Sequence, residues 1–299
     1  MKIIATGSLG NISRPLTEEL VQKGHAVTVV SSKPEKQKDI EALGAAAAIG
    51  SLEDVEFLTE TFCGADSVYC MVPPGDYFDH SLDLLAYYRR MGHNYAAAIE
   101  KSGVKQVVNL STIGADLEKG SGILLGAHDL QQILDKLPDD VAIAHIRPTS
   151  FHYNLYGYID MIKKHGVIAA NYGAEDVIPW VSPIDIATVV AQELVTTRVG
   201  RKVRYVVSEE LTANETARIL GEAIGKPDLR WILTSDQEAL NGLQAIGMNK
   251  QIAAGLVEMY ASLHSGLLSE DFNRNKPAAP GKVKMTDFAK EFAAAFKKS

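Results

Sequence analysis

Residues 2–13 read Lys2-Ile3-Ile4-Ala5-Thr6-Gly7-Ser8-Leu9-Gly10-Asn11-Ile12-Ser13. The apolar run Lys2 to Thr6 predicts a buried strand, and Arg14 to Lys23, with Leu16, Leu20 and Val21 on one face, predicts a helix. The glycine turn between them has the strand–turn–helix context that a dinucleotide-binding unit requires. Gly7 can take a tight turn where a Cβ would clash, and Gly10 lets the backbone approach a pyrophosphate. The N–H groups that open the helix favour an anion. Ser13 holds the third small position, where helix and strand pack closely. The spacing is GxxGxxS, not GxGxxG, and a nucleotide-free βα turn is the competing reading.

Outward from this turn the same rhythm repeats. Further strands are predicted at His25–Val30, Ala45–Ile49, Ser67–Val72, Val104–Leu110 and Val141–Ile146. Helices are predicted at Glu35–Leu43, Leu52–Phe62, Leu82–Ser102 and His128–Leu137. Alternation of this kind implies an α/β fold, a Rossmann-type doubly wound parallel sheet with ligands at the carboxyl ends of its strands. After Arg147-Pro148 the pattern changes: an aromatic, loop-like Phe151–Tyr158, a helix at Ile184–Leu194, a strand-like Val203–Val207, and helices at Thr212–Ile224, Glu238–Leu267 and Thr286–Phe296. Asn273–Lys284 reads as a surface loop. The expected organisation is an NAD(P)-binding domain over 1–150 and a smaller, mostly helical substrate lobe over 151–299, with 181–200 packing back on the first domain.

The bulk properties narrow the partners. The chain has 299 residues, 46% apolar and 22% charged, and a net charge of -7, so a broad basic footprint for nucleic acid is absent. The two cysteines, Cys63 and Cys70, are too far apart for a CxxC pair and flank apolar segments, which predicts buried thiols in a reducing compartment. The N-terminal apolar run is too short for a signal peptide, and no uncharged run approaches the roughly 18 residues of a membrane span. A cytoplasmic protein with a small-molecule substrate is expected, with a small homo-oligomer or a regulatory protein as further partners.

Ser31-Ser32-Lys33-Pro34 closes the second strand, where an NAD-preferring site presents a carboxylate to the ribose. Two hydroxyls and a cation suit a 2′-phosphate instead, so NADP(H) is the expected cofactor and NAD the alternative. Lys36 adds to that charge, and Ser51 is expected near the adenine end.

The chain resembles the NmrA-like branch of the atypical short-chain dehydrogenase/reductases. The resemblance spans nearly the whole chain: the glycine turn, then Gly50-Ser51-Leu52-Glu53-Asp54, then Gly103-Val104-Lys105-Gln106-Val107-Val108-Asn109-Leu110-Ser111-Thr112, then Arg147-Pro148-Thr149-Ser150-Phe151 with Asn154, then Val181-Ser182-Pro183-Ile184-Asp185-Ile186-Ala187. His128 to Leu134 is similar to a helix of the branch's bacterial quinone reductases. The resemblance implies that Gly7, Ser8, Leu9, Gly10, Asn11 and Ile12 hold the pyrophosphate. It also implies that Met71, Val72 and Pro73 line the nicotinamide ribose and that Ser111 and Thr112 face the cofactor. Ser32 stands where many members carry a phosphate-binding arginine, leaving Lys33 as the basic candidate.

The chemistry is less legible. No Tyr-x-x-x-Lys pair follows Ser111; Tyr156 has Asp160 four residues on. Gly126-Ala127-His128-Asp129 stands where phenylpropanoid reductases of the branch carry a lysine. Ketone reduction through a tyrosine acid is therefore disfavoured. A quinone accepts hydride without a strong acid, so the protein needs mainly to align the reactants and exclude water. Tyr153, Asn154 and His128 are the candidate catalytic residues, with Phe151, Tyr156 and Trp180 as apolar walls or ordinary core, and His152 as a further polar contact. No metal-ligand motif occurs, and the cluster Asp76, Asp79, His80 and Asp83 reads as a solvated loop before it reads as a metal site. His145, in an apolar strand, reads as a core histidine. Two functions follow: an NAD(P)H-dependent oxidoreductase for a quinone or similar electrophile, or a non-catalytic NAD(P)-sensing regulator. Sugar-nucleotide epimerisation is third.

Overall fold

The computed structural model describes residues 1–299. Its first strand, β1 (Lys2–Ala5), buries Ile3, Ile4 and Ala5 completely because it has a strand on either side and helices on both faces. The chain continues through α1 (Ser13–Gln22), β2 (Ala26–Ser31), α2 (Gln37–Ala42), β3 (Ala46–Ile49), α3 (Val55–Phe62), β4 (Ser67–Cys70), α4 (Leu84–Ser102), β5 (Gln106–Leu110), α5 (Leu125–Leu134) and β6 (Ala142–Pro148). The second half runs β7 (Ser150–Phe151), α6 (Ile159–His165), β8 (Val167–Ala170), β9 (Val177–Val181), α7 (Pro183–Val195), β10 (Arg201–Val206), β11 (Glu209–Thr212), α8 (Ala213–Ile224), β12 (Arg230–Leu233), α9 (Asp236–Ala245), α10 (Lys250–His264), α11 (Glu270–Arg274) and α12 (Met285–Lys298).

The main sheet has seven strands in the order β10-β6-β5-β4-β1-β2-β3, every pair parallel. This is the doubly wound Rossmann order with one strand added. Strand order reverses between β1 and β4, which places a crevice between their carboxyl ends. One face is closed by α1 and α7, whose Leu16, Leu20, Ile186, Val190 and Leu194 share a core with Ile3 and Val29. The other is closed by α3, α4 and α5 around Ile4, Leu58, Tyr95, Val107 and Leu130. Asp54 and Asp83 start α3 and α4 by accepting hydrogen bonds from first-turn N–H groups.

Several expectations change. β10 does not stay with the second half; it pairs with β6 and completes the main sheet. The lobe is helical but also holds a three-stranded sheet, β11-β9-β7, and a pair, β12-β8. The four- and five-residue runs of β8, β9 and β12 carry no period that separates strand from buried helix, β7 has two residues, and β11 is Glu-Glu-Leu-Thr, not an apolar run. Phe151–Tyr158 is not a loop: Phe151 ends β7, and His152–Tyr158 forms a 3-10 helix. The helix expected over 238–267 breaks after Ala245, where Gly247 has φ +86 and Asn249 caps α10. α5 begins three residues before His128 and ends at Leu134. Cys70 is buried as expected, but Cys63 is exposed, because it is the residue that ends α3 at the surface.

Candidate functional site

The glycine turn is built by strain and by two hydroxyls. Gly7 has φ +93, and a Cβ there would stand 2.6 Å from Ser13 Oγ and 2.9 Å from Met71. Ser8 is also left-handed, φ +54, an unusual conformation for a residue with a side chain. Ser13 Oγ donates to the Thr6 carbonyl at 2.9 Å, tying the start of α1 to the end of β1. Ile12 is buried just before α1, while Gly10 and Asn11 are exposed at the crest. The Arg14 N–H is taken by the Gly10 carbonyl and the Gly10 N–H by that of Gly7, while the N–H groups of Asn11, Ile12 and Ser13 have no acceptor in the chain and could meet a pyrophosphate.

Thr6 joins the two sides of the crevice. Its Oγ1 donates to the Tyr69 carbonyl at 3.0 Å and accepts from the Met71 N–H at 3.0 Å. The Tyr95 hydroxyl donates to the Met71 carbonyl at 2.6 Å. Met71, Val72 and Pro73 are thus held half-buried directly opposite the turn. Sequence reasoning missed Thr6 and Tyr95; the polar residue ending an otherwise apolar strand was the available signal for Thr6.

At the end of β2, Ser31 is buried, its Oγ 2.9 Å from Ser8 Oγ and accepting from the Lys33 N–H at 3.2 Å. Ser31 therefore braces the turn. Ser32 and Lys33 are exposed beyond it, and Lys33 enters no ion pair, whereas Lys36 is paired with Asp39. Ser51 is exposed, and its Oγ accepts from the Glu53 N–H.

At the ends of β5 and β6, Ser111 is buried with its Oγ 3.5 Å from Gln131 Oε1. Gln131 Oε1 accepts from Arg147 Nη2 at 3.1 Å, and Arg147 Nη1 donates to Asp271 on α11 at 3.1 Å and to the Tyr205 hydroxyl at 3.2 Å. This chain of polar groups links the sheet to the lobe. His128 lies on α5 with Nδ1 2.9 Å from the Ala115 carbonyl, which can only accept. Nδ1 therefore carries a proton in this contact. Its neighbour Asp129 pairs with Arg89.

Tyr153 stacks on Phe151, ring centroids 5.0 Å apart. It shares an electrostatic neighbourhood with Tyr69, Tyr77 and Tyr88. Burial, then Tyr77, pushes the Tyr153 phenol up to about 12, so it is a neutral hydrogen-bond donor at physiological pH. Tyr69 is fully buried with no partner for its hydroxyl. Asn154 is exposed. Trp180 is core, its Nε1 donating to Thr216. His145 is a core histidine held between Asn109 and Asp135 at 3.1 and 3.0 Å.

No group of three or more His, Cys, Asp or Glu side chains converges as a metal site. In the suggestive loop, Asp76 and Asp79 accept from N–H groups two residues on and Asp83 caps α4. No helix is long and apolar enough to cross a membrane.

Comparison with known proteins agrees with this geometry. An NAD(P)H azoreductase from Xenophilus azovorans is 26% identical over 301 residues, covering 98% of this chain and 99% of that one. A Citrobacter sp. triphenylmethane reductase superposes with a TM-score of 0.79 at 17% identity, over 98% of this chain and 100% of that one. An NADPH-dependent quinone oxidoreductase from Escherichia coli, solved with NADPH, gives 0.79 at 17% identity over 97% and 99%. A nucleoside-diphosphate-sugar epimerase from Staphylococcus aureus gives 0.76 at 16% over 97% and 100%, so these likenesses establish the fold. A family profile described as NAD(P)H-binding matches residues 7–155, about half the chain, beginning at the first glycine of the turn and running through both sides of the crevice. The chain belongs to the NAD(P)H-binding family.

Proposed function

We propose that this protein is an NAD(P)H-dependent oxidoreductase that reduces a quinone, an azo compound or a similar planar electrophile. The observation that carries this reading is the end-to-end similarity to an NAD(P)H azoreductase, joined to a cavity wall that Asn11 of the glycine turn shares with the neutral phenol of Tyr153. Bound NAD(P)H supplies a hydride, and the acceptor takes one further proton to complete a two-electron reduction.

The residues of this chain have three tasks. Gly7 to Ile12 hold the pyrophosphate, with Ser8 and Ser31 bracing the turn. Lys33, unpaired and exposed, meets the 2′-phosphate, which favours NADP(H) over NAD(H). Tyr153 donates a hydrogen bond to the atom on which negative charge develops. Its raised pKa suits donation better than full proton transfer, so the final proton comes from water. Met71 to Pro73 and Phe151 exclude bulk water from the reacting pair. His128 and Asn154 have lesser claims, one engaged by Ala115 and the other exposed.

Titration with NADPH and NADH, followed by quinones and azo dyes in the same cuvette, tests the reading. NADPH binds more tightly, and its absorbance falls only when acceptor is present. Tyr153→Phe lowers kcat about tenfold and leaves NADPH affinity unchanged. Binding without turnover on any acceptor would instead assign the protein to the sensors. Failure to bind either nucleotide would remove the reading altogether.

A further inference from the structure

Beside the glycine turn lies a cavity of about 430 Å³, within the size range of small-molecule sites. Asn11 belongs to both the turn and the cavity wall. The rest of the wall comes from the second half of the chain, chiefly His152, Tyr156, Ile184, Phe288 and Glu291. We propose that this cavity is the acceptor pocket and that it selects flat aromatic molecules that are neutral or cationic over anionic ones. The proposal rests on the reductase reading above and adds the charge and shape of its substrate.

Shape comes from the rings. Half-buried Tyr156, backed by the buried Phe288 at 5.2 Å, offers aromatic surface beside the aliphatic edge of Ile184, itself 51% exposed. An exposed isoleucine and a half-open aromatic wall are apolar area that a flat ligand would remove from water.

Charge comes from one residue. Glu291 is the only carboxylate or cation on the wall. The imidazole of His152 does not offset it, because burial pushes its pKa down to about 4 and leaves it neutral. The nearby cation Lys284 donates its Nζ to the carbonyls of Ser208 and Gly281, and its charge acts on His152 in the sense opposite to that of Asp185. Asp185 is likewise engaged, accepting from Ser208 Oγ and from the Lys282 and Val283 N–H groups.

His152 adds a polar demand. It is 1% exposed and packs against Phe288 at 5.4 Å and Trp180 at 6.4 Å, and its Nε2 has no hydrogen-bond partner in the chain. A buried imidazole nitrogen left unpaired is costly, and a polar ring substituent on a ligand is the partner that the protein does not itself supply.

The test is calorimetric titration of the NADP⁺-saturated protein with two matched probes, 2-naphthyltrimethylammonium and 2-naphthalenesulfonate. Neither is reduced, so the result does not depend on turnover and stands apart from a failure of the reductase reading. The cation is expected to bind about fivefold more tightly, a modest ratio because Glu291 is exposed to solvent. Glu291→Lys, a surface change that does not threaten folding, reverses the preference. A ring hydroxyl on the cationic probe tightens binding in the wild type and not in His152→Phe, which keeps the aromatic packing. Equal affinity for the two probes, or no binding of either, overturns the proposal. So does binding of the cationic probe to the nucleotide-free protein alone, lost once NADP⁺ is added, which would give the cavity to the cofactor.

Discussion

The two halves of the molecule are packed from different material. Around the sheet the buried side chains are mainly Ile, Leu, Val and Ala, with Phe62, Tyr69 and Tyr95 the aromatic exceptions. The lobe is built on Tyr172, Trp180, Tyr205, Trp231, Phe272, Phe288 and Phe292. Branched aliphatics suit parallel strands buried on both faces, and their pattern is local. Large rings fill irregular space, and each buried polar tip needs a partner far away in the chain. Trp231 donates to the Tyr172 carbonyl and Trp180 to Thr216, 59 and 36 residues distant. One half is therefore specified by periodicity and the other by long-range fit.

A pair of glycine substitutions sharpens that contrast and carries the largest expected effect. At Gly122, φ +54, a Cβ would stand 1.8 Å from the Gly255 carbonyl oxygen on α10, and neither backbone can yield without separating sheet and lobe. Gly122→Ala is expected to cost about 4 kcal/mol or more in urea melts. At Gly7 the obstacles are side chains, Ser13 and Met71, which can move. Gly7→Ala is expected to cost about 1–2 kcal/mol of stability while losing most of the NADPH affinity. Equal stability losses at the two positions would break the comparison.

His152 gives the next largest effect, and it belongs to the lobe's aromatic packing. Its pKa falls from the ordinary 6.5 to about 4 because burial disfavours the cation. The unfolded chain therefore binds more protons between those values, and stability rises with pH across the window. On acidification the contribution begins to fall near pH 6.5 and is lost by about pH 4, up to about 3 kcal/mol in all. Urea midpoints measured from pH 4 to 7 should show this slope in the wild type and a shallower one in His152→Phe.

The smallest effect lies at the rim of the sheet. Lys33→Ala is expected to weaken NADPH about tenfold and NADH by no more than about twofold, as measured by equilibrium titration. Equal losses for both nucleotides would remove the 2′-phosphate from Lys33.

The same contrast explains what could be read from the sequence. β1 to β6 and their helices were legible because each strand is a short apolar run followed by an amphipathic helix. β10 was visible as a strand, but its pairing with β6 was not, since register across more than 50 residues leaves no local mark. β8, β9 and β12 were lost because their runs of four or five residues carry no period that separates strand from buried helix. At the site, Gly7, Gly10 and Ser13 were legible from spacing alone. The bracing role of Ser31 and the hydrogen bonds that tie Thr6 and Tyr95 to Met71 depend on three-dimensional approach. Cys63 misled because an apolar helix can still end at the surface.

The late arrival of β10 has a consequence for synthesis. Ribosomes deliver the chain from the N-terminus, so β6, buried along its whole length in the finished protein, emerges with one edge unpaired and with α7 still unmade. The nascent sheet must wait for residue 206 before that edge is covered. A fragment stopped at residue 150 would keep the whole glycine turn and still be born with a sticky margin, prone to self-association and a natural client for chaperones.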